Sequence, residues 1–594
     1  MKNPMRLFDS SLKFPRLMGA VLLTAVSSLC AAPTHLVDEP VVSYERLEDG
    51  TVLLDFGKVG FGNLRLQVPD SAGGSYRFHF GEAFAQGRIE RKPPGTVRYK
   101  TFAADLPGGT EAVLAPPPVG RHLSHAKAVK TPEDWGVVTP FRWVEIEGWD
   151  GVFKPEWVVR QTAYLQAWED EAAYFESSDP LLNRIWELCK YSIKATTFAG
   201  IYVDGDRERI PYEADAHINQ LSHYYTDADK QIARDTYDWL LTKSTWPTEW
   251  APHMVFIAHA DWMHTGDVAW LKPRYEGLKD KLLLDRVGED GWVRTAKQAQ
   301  NGRPGTGHDI VDWPAGERNG YVFTAVNTVV NAFHLRAVDQ MADLAEAVGR
   351  TEEAQAYRQR YVAGVARFNE NLWMPEKGAY RDGLGTDHTA AHATLFPLAF
   401  GLVPEENRAA AVEFLKGKGM ACSVYAAQYL MEGLFEHGGN GIALDLMTAD
   451  GDRSWQHMVN SGTTISWEAW DQKYKPNQDW NHAWGAAPAN LLPRYVLGVE
   501  PVEPGWTRTR IAPRTAGLQW AKGKVPTRLG PIHVAWKIRD GQLEMTCRIP
   551  EGTTAVLEFP EFKQHPPQEL APGEHRLQID LDECILDNSR GHGI

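Results

Sequence analysis

The stretch Tyr202-Val203-Asp204-Gly205-Asp206-Arg207-Glu208-Arg209-Ile210-Pro211-Tyr212-Glu213-Ala214-Asp215 decides how this chain is read. It holds three Asp, two Glu and two Arg, together with Tyr202 and Tyr212. Burying that much charge is costly unless each group finds a partner. Carboxyl groups set among aromatic rings have their pKa values pushed apart, which acid/base chemistry requires. The competing reading is a solvated charged turn. The stretch precedes a helical pattern, so it reads as a loop that feeds a helix.

Working outward, helical periodicity begins at Ser178-Asp179-Pro180, where Asp179 can cap and Pro180 takes the first helical position. Leu181, Leu182, Ile185, Trp186 and Cys189 then share one face. Helical patterns recur over Ala216 to Lys243, Tyr321 to Val348, Thr351 to Leu372 and Glu405 to Leu415, with Gly349 as a stop and Thr351 as a cap. Roughly 330 residues at about 25 to 30 per helix and loop give on the order of twelve helices. That number predicts an (α/α)6 barrel of six helical hairpins over residues 171–503. A solenoid would need a fixed-period repeat, and none is evident.

On either side the period changes to two. Val52 to Gly57, Leu64 to Val68, Tyr76 to Phe80 and Phe141 to Ile146 read as strands, with a Pro-rich loop at Ala115 to Pro118. They predict an N-terminal β-sandwich over 33–170. Val534 to Ile538, Leu543 to Cys547 and Ala555 to Phe559 predict a C-terminal β-sandwich over 504–586, with a hairpin turn at Asp540-Gly541. Residues 587–594 read as a frayed polar tail.

At the N-terminus, Lys2, Arg6, Lys13 and Arg16 precede an apolar run from Leu17 to Val26, and small residues lead to Ala31-Ala32-Pro33. This is the order of a secretory signal over residues 1–32 and predicts export to the periplasm or outside. The run is too short for a comfortable membrane span, and no other apolar run has that length. The net charge of -15 and the lack of a long basic run exclude nucleic acid as a partner. The 22 tryptophans suit a carbohydrate partner, since sugar faces stack on rings, although they also suit a Trp-rich core. Cys30, Cys189, Cys422, Cys547 and Cys584 form no C-x-x-C pair and no disulfide framework, and a Cys422 nucleophile has no local support. No metal or organic cofactor is implied, and nothing indicates an oligomeric state.

A second charged and aromatic stretch, Gly462-Thr463-Thr464-Ile465-Ser466-Trp467-Glu468-Ala469-Trp470-Asp471, is followed by Trp480-Asn481-His482-Ala483-Trp484-Gly485. Loops at one end of a helical barrel share one pocket, so a glutamate from each loop can face the other across a sugar. One protonated and one ionised carboxyl would serve as acid and base. A gap that admits a water between them gives inversion at the anomeric centre.

These motifs and this layout resemble the bacterial α-L-rhamnosidases of glycoside hydrolase family 78, over nearly all of the chain from about residue 40. The family's D-x-x-x-R-D-E-R-x-G-W-x-G-D is matched by Asp204, Glu208, Arg209 and Asp215. Its T-T-x-W-E is matched, with one extra residue, by Thr463 to Glu468. Its N-H-x-x-x-G falls on Asn481, His482 and Gly485, and its D-W element on Asp312 and Trp313. The resemblance implies Glu208 as general acid and Glu468 as general base, with Asp204, Asp215 and His482 holding sugar hydroxyls. Arg209, Tyr212, Trp250, Asp312, Trp313, Trp467 and Trp484 complete the implied sugar site. The chain departs from the motif in the short spacing from Asp204 to Glu208 and in Pro211-Tyr212 for Gly-Trp, which alters one wall of the pocket.

The expected function is therefore removal of terminal α-L-rhamnose by an exported inverting glycosidase. The rivals are a six-hairpin enzyme acting on another, uronic-acid-containing glycan end, with Arg207, Arg209 and Arg318 as cations, and a catalytically inactive glycan binder. A structural surface protein is disfavoured by the clustered polar and aromatic loops.

Overall fold

The computed structural model describes residues 33–295, 309–562 and 564–581. The expected leader over 1–32 and tail over 587–594 lie outside the described residues, as do Cys30 and Cys584.

In the N-terminal β-domain, the runs read as separate strands at Val52 and Leu64 are one 16-residue strand, Val52–Gln67. Its register against Thr139–Glu147 shifts between Asp55 and Gly60. The first half pairs with Ser43–Arg46 and Thr139–Glu147, the second with Val158–Leu165 and Glu111–Leu114. One irregular strand thus joins both halves of an eight-stranded sheet. Val52, Leu54, Phe78 and Ile146 from one half meet Leu64, Leu66 and Val158 from the other in a single apolar core.

The C-terminal domain pairs a five-stranded with a four-stranded sheet. Its hairpin between Ile532–Arg539 and Gln542–Ile549 turns at Asp540 (φ 50°) and Gly541 (φ 76°), the double positive φ that this tight turn needs. An edge strand of the larger sheet, Tyr174–Ser177, comes from just ahead of the helical domain. A pairing across more than 300 residues leaves no local pattern in the sequence.

The helical domain opens at Pro180–Thr196, where Asp179 Oδ1 accepts from Leu181 N (2.8 Å). The span read as helical from Ala216 to Lys243 is two helices, Glu213–Thr226 and Gln231–Thr242. Thr351 begins the helix Thr351–Leu372 rather than capping it. Arg350 takes the cap position with no side-chain bond, because Gly349 (φ 82°) ends the preceding helix so late.

Six segments close a ring: Glu213–Thr226, His253–Thr265, Thr328–Ala347, His392–Ala399, Val424–Glu436 and Pro488–Leu491 each touch the next, and the last touches the first. Pro180–Thr196, Gln231–Thr242, Thr351–Leu372, Glu405–Lys418 and Asn440–Met447 pack outside ring members. Burial follows that geometry. Glu213–Thr226 buries every residue but Leu221, whereas the outer Thr351–Leu372 buries only Ala354, Gly364, Phe368 and Leu372. Among the described residues no helix is long and apolar enough to cross a membrane.

Candidate active site

Loops leading into ring helices enclose a cavity of about 250 Å³ lined by Asp204, Arg207, Glu208, Tyr212, Asp215, Trp246, Trp250, Ile310, Trp313, Glu468, His482 and Trp484. The two charged stretches meet because Gly205 lets them. At φ 101°, a Cβ there would lie 2.9 Å from the Asn481 carbonyl oxygen and 2.9 Å from Asp479 Oδ2. The Asp206 N–H donates to Asn481 Oδ1 at 2.7 Å, and Asn481 Nδ2 donates to Glu82 Oε1 at 2.8 Å. Arg98 pairs with the buried Asp206 carboxylate. The N-terminal β-domain, through Glu82 and Arg98, therefore holds both loops in place.

Arg207 stands between the two glutamates. Its Nη1 donates to Glu468 Oε2 at 2.5 Å and its Nη2 to Glu468 Oε1 at 2.7 Å, a two-pronged contact, while its Nε lies 3.9 Å from Glu208 Oε1. Lys475 Nζ adds a second cation 3.0 Å from Glu468 Oε1. Glu208 accepts from Tyr212 Oη at 2.8 Å and from Arg121 on the N-terminal β-domain. Burial would raise the Glu208 pKa, but the Tyr212 hydroxyl, Arg207, Arg121 and a hydrogen bond with Asp204 together hold it below the ordinary value. Asp204 goes the other way. Burial pushes its carboxyl well above the usual range, and the neighbouring Glu208 charge adds to that against His482. The surroundings thus favour a proton on Asp204 over one on Glu208.

That assignment has a stability signature. A carboxyl whose pKa is raised by folding takes up a proton in the folded state, so its contribution falls as pH rises above the ordinary value of 3.8. Asp204→Asn, whose amide oxygen can still accept from Ile210 N–H (3.0 Å in the parent), is expected to melt at or above the wild-type temperature at pH 8. Thermal melting of both proteins between pH 5 and 8 checks this. A variant that melts several degrees lower throughout would mean that Asp204 is ionised in the fold.

His482 is buried between Asp215 and Asp479, with Nε2 2.7 Å from Asp215 Oδ1 and Nδ1 3.4 Å from Asp479 Oδ1. Burial alone would depress its pKa, yet these two carboxylates raise it to about 10, so it is an imidazolium. Donor atoms of Glu468, Asp479 and His482 lie within 4.8 Å of one another, a spacing that suits a metal ion. The cluster is already balanced, however: Glu468, Asp479 and Asp215 are matched by Arg207, Lys475 and the protonated His482. An added cation would first have to displace those charges.

The walls are aromatic. Tyr212 meets Trp250 edge-on at 5.6 Å, Trp484 stacks on Tyr425 at 5.7 Å, and Trp484 Nε1 donates to the Glu468 carbonyl at 3.0 Å. Nine of the sequence-derived candidates line the cavity: Asp204, Glu208, Tyr212, Asp215, Trp250, Trp313, Glu468, His482 and Trp484. Three do not. Arg209 turns away, buried against Asp206 and donating to the Val138 carbonyl at 2.6 Å. Asp312 is wholly buried, accepting from Ser423 N at 2.9 Å and facing His392 Nε2 at 2.6 Å, so it anchors the loop that presents Trp313. Trp467 stacks on Trp480 at 4.9 Å, outside the cavity. Arg318 donates to the Asp312 carbonyl at 2.9 Å, which leaves Arg207 as the one of the three suggested cations that lines the pocket. Cys422 is fully buried, and burial pushes its thiol well above the ordinary value, which suits packing rather than attack.

Sequence reasoning missed Trp246, Ile310, Lys475 and Arg121. Trp246 and Ile310 sit beside flagged residues in the chain, Trp250 and Asp312. Lys475 lies between two flagged motifs. Arg121 comes from the short helix Gly120–Ser124 of the other domain and carried no signal.

Ring, carboxyl pocket and flanking β-domains together define the architecture of a six-hairpin glycosidase. Residues 170–496 match the bacterial alpha-L-rhamnosidase six-hairpin glycosidase domain, residues 498–569 the C-terminal domain of such proteins, and residues 45–113 their concanavalin-like domain. The chain belongs to the bacterial α-L-rhamnosidase six-hairpin glycosidase family. It is 22% identical over 607 residues to an alpha-L-rhamnosidase of Alteromonas sp. (strain LOR), covering 93% of this chain and 62% of that protein. To one of Streptomyces avermitilis it is 23% identical over 556 residues, covering 89% and 49%. The chain thus spans about half to three-fifths of the length of the curated relatives it matches. Its fold is similar to the crystal structure of an α-L-rhamnosidase from Aspergillus terreus (TM-score 0.75, 19% identity, 92% of this chain and 64% of that one). It is also similar to that of the Streptomyces avermitilis enzyme complexed with L-rhamnose (TM-score 0.74, 18% identity, 93% and 54%).

Proposed function

We propose that this chain hydrolyses terminal α-L-rhamnosides with inversion, using Glu208 as general acid and Glu468 as general base. The observation that carries the reading is the placement of these two glutamates, from separate loops, on one aromatic cavity of about 250 Å³, a volume for one sugar ring rather than a chain. The names of its relatives supply the sugar, and the 6-deoxy side of rhamnose suits a wall of Trp250, Trp313 and Trp484. Arg207 Nη1 lies 2.5 Å from Glu468 Oε2 and its Nε 3.9 Å from Glu208 Oε1, so one guanidinium spans the two carboxyl groups.

In this mechanism a rhamnoside entering the cavity desolvates Glu208 and raises its pKa, and the proton of Asp204 passes to it along their hydrogen bond. Glu208 delivers that proton to the glycosidic oxygen as the C–O bond breaks. Glu468, paired with Arg207 and Lys475, orients a water on the opposite face and takes its proton as the new C–O bond forms. Asp204, left anionic, faces the His482 imidazolium.

The fork of Arg207 on both oxygens of Glu468 favours one second reading. A carboxylate with both oxygens taken up by a guanidinium has little left to hold a water, which would suit a glycan binder without turnover. The deciding experiment follows the hydrolysis of an aryl α-L-rhamnoside by proton NMR. β-L-Rhamnose as the first product supports the enzyme and its stereochemistry. The α anomer first would reject inversion, and no release with rhamnose still bound would favour the binder.

A further inference from the structure

The helical ring carries a second cavity, at its other end. The mouth gathers residues from the starts of ring helices: Tyr212 and Asp215 at Glu213–Thr226, Trp250 ahead of His253–Thr265, and Trp484 ahead of Pro488–Leu491. A cavity of about 440 Å³ gathers residues from the finishing ends: Tyr225 of Glu213–Thr226, His264 of His253–Thr265, Phe400 after His392–Ala399 and Glu436 of Val424–Glu436. The two cavities therefore lie at opposite ends of the ring, and no step of the proposed hydrolysis uses the far one.

The charges of the far cavity are already spent on one another. Arg494 pairs with Glu432 and, at 3.1 Å, with Glu500. Arg510 pairs with Glu500 and, at 3.3 Å, with Glu436, and Arg336 Nη1 lies 3.2 Å from Asp339 Oδ2. An ionic ligand would have to break such a pair. The helix C-termini around the cavity also disfavour an anion, because they present carbonyl oxygens. What is left over is polar and neutral. His217 and Gln340 line the cavity, each 8% exposed. His217 Nδ1 lies 3.2 Å from Tyr429 Oη, and that hydroxyl lies 2.9 Å from His253 Nε2. These contacts fix the His217 ring and leave its Nε2 without a partner among the described residues. Gln340 Oε1 has none there either. Burial holds the His217 pKa well below the ordinary value, so the neutral ring can donate or accept. Buried polar atoms are nearly always satisfied, so this pair calls for hydroxyl groups.

We infer that the far-end cavity is a second sugar site, which takes one neutral monosaccharide through hydroxyl contacts with His217, Gln340 and Tyr429 and an apolar ring face against Phe256 and Phe400. All five residues line the cavity. Its volume exceeds the roughly 250 Å³ of the mouth, so a ring that fits the one fits the other. The site stands apart from the hydrolytic reading, which neither requires nor supplies it.

Hydrogen exchange of the full chain, resolved by peptide mass spectrometry, tests this by place. The probes are L-rhamnose, D-glucose and D-galactose, with D-glucuronate and D-glucosamine as charged controls. At least one neutral sugar, at about ten times its Kd, is expected to slow exchange by about 10-fold in residues 398–402 and 434–440, beside the far cavity. The charged sugars are expected to leave those residues unchanged. Gln340→Met removes the amide and Ala260→Trp fills the cavity; both are expected to abolish the far-end slowing. Slowing by L-rhamnose at the mouth, in residues 204–215 and 466–484, should persist in both variants and shows that they remain folded. No far-end slowing by any neutral sugar, slowing that survives both variants, or equal slowing by D-glucuronate would overturn the second site. L-Rhamnose acting at the mouth alone, with no neutral sugar at the far end, would do so while leaving the rhamnosidase reading standing. Slowing at the far end alone would support the second site and count against rhamnose at the mouth.

Discussion

Glu468→Gln is expected to lower kcat on an α-L-rhamnoside by about 10³-fold, within the ~10²–10⁴ range of a lost general acid or base. The amide keeps the shape of the carboxylate and can still accept a hydrogen bond, but it cannot take a proton from water. Rhamnose binding should stay within a few-fold of wild type, because the rings of Trp250, Trp313 and Trp484 are untouched. The variant should also be less stable. Glu468 is 1% exposed and neutralises Arg207 and Lys475, and removing one member of a buried charge set costs about 3–5 kcal/mol. Steady-state kinetics, rhamnose titration and thermal melting on one preparation separate these effects. Full turnover in Glu468→Gln would remove Glu468 from the chemistry. Lost turnover together with lost rhamnose binding would point to a collapsed pocket.

Much of this arrangement was legible in the residues, and the boundary of legibility has physical causes. Helix ends governed by local chemistry, such as Asp179 with Pro180, are visible because the signal lies within one turn of the effect. The two charged loops stand out because clustered charge among aromatics is expensive without a purpose. What stayed hidden depends on contacts distant in sequence. Tyr174–Ser177 joins a sheet built mainly from residues beyond 520, and Arg121 reaches Glu208 from another domain. The direction of a side chain was hidden as well. Arg209 fits the motif, but its backbone lies in the left-handed region at φ 56° and its guanidinium is spent on Asp206 and Val138. Asp312 likewise matches a sugar-binding element, yet with Ser423 and His392 on its oxygens it has no capacity left for a hydroxyl. Motif identity gives the residue type that a site needs, and the hydrogen-bond inventory decides whether that residue faces the substrate or supports one that does.

The pH dependence of stability should run largely through His482. Its pKa is raised by folding from the ordinary 6.5 to about 10, so its stabilising contribution is complete below pH 6.5 and is lost as pH rises through 10. His482→Ala removes the cation that serves both Asp215 and Asp479, each at most 2% exposed, and leaves two buried carboxylates short of charge. The expected cost is about 3–5 kcal/mol, a melting temperature lower by roughly 5–10 °C at pH 6. The gap should narrow steadily toward pH 10, where half of the wild-type imidazolium has lost its proton. A neutral core histidine would behave differently: its removal would cost a cavity and a hydrogen bond at every pH, with no narrowing. Melting curves of wild type and His482→Ala at pH 6, 8 and 10 therefore distinguish the two, and a constant gap would reject the imidazolium. Activity should fall with stability, because His482 also ties the loops. Its ring packs 4.8 Å from Trp484, whose indole N–H holds the Glu468 carbonyl. The side chain that neutralises Asp215 and Asp479 thus also packs against the indole that holds the proposed base.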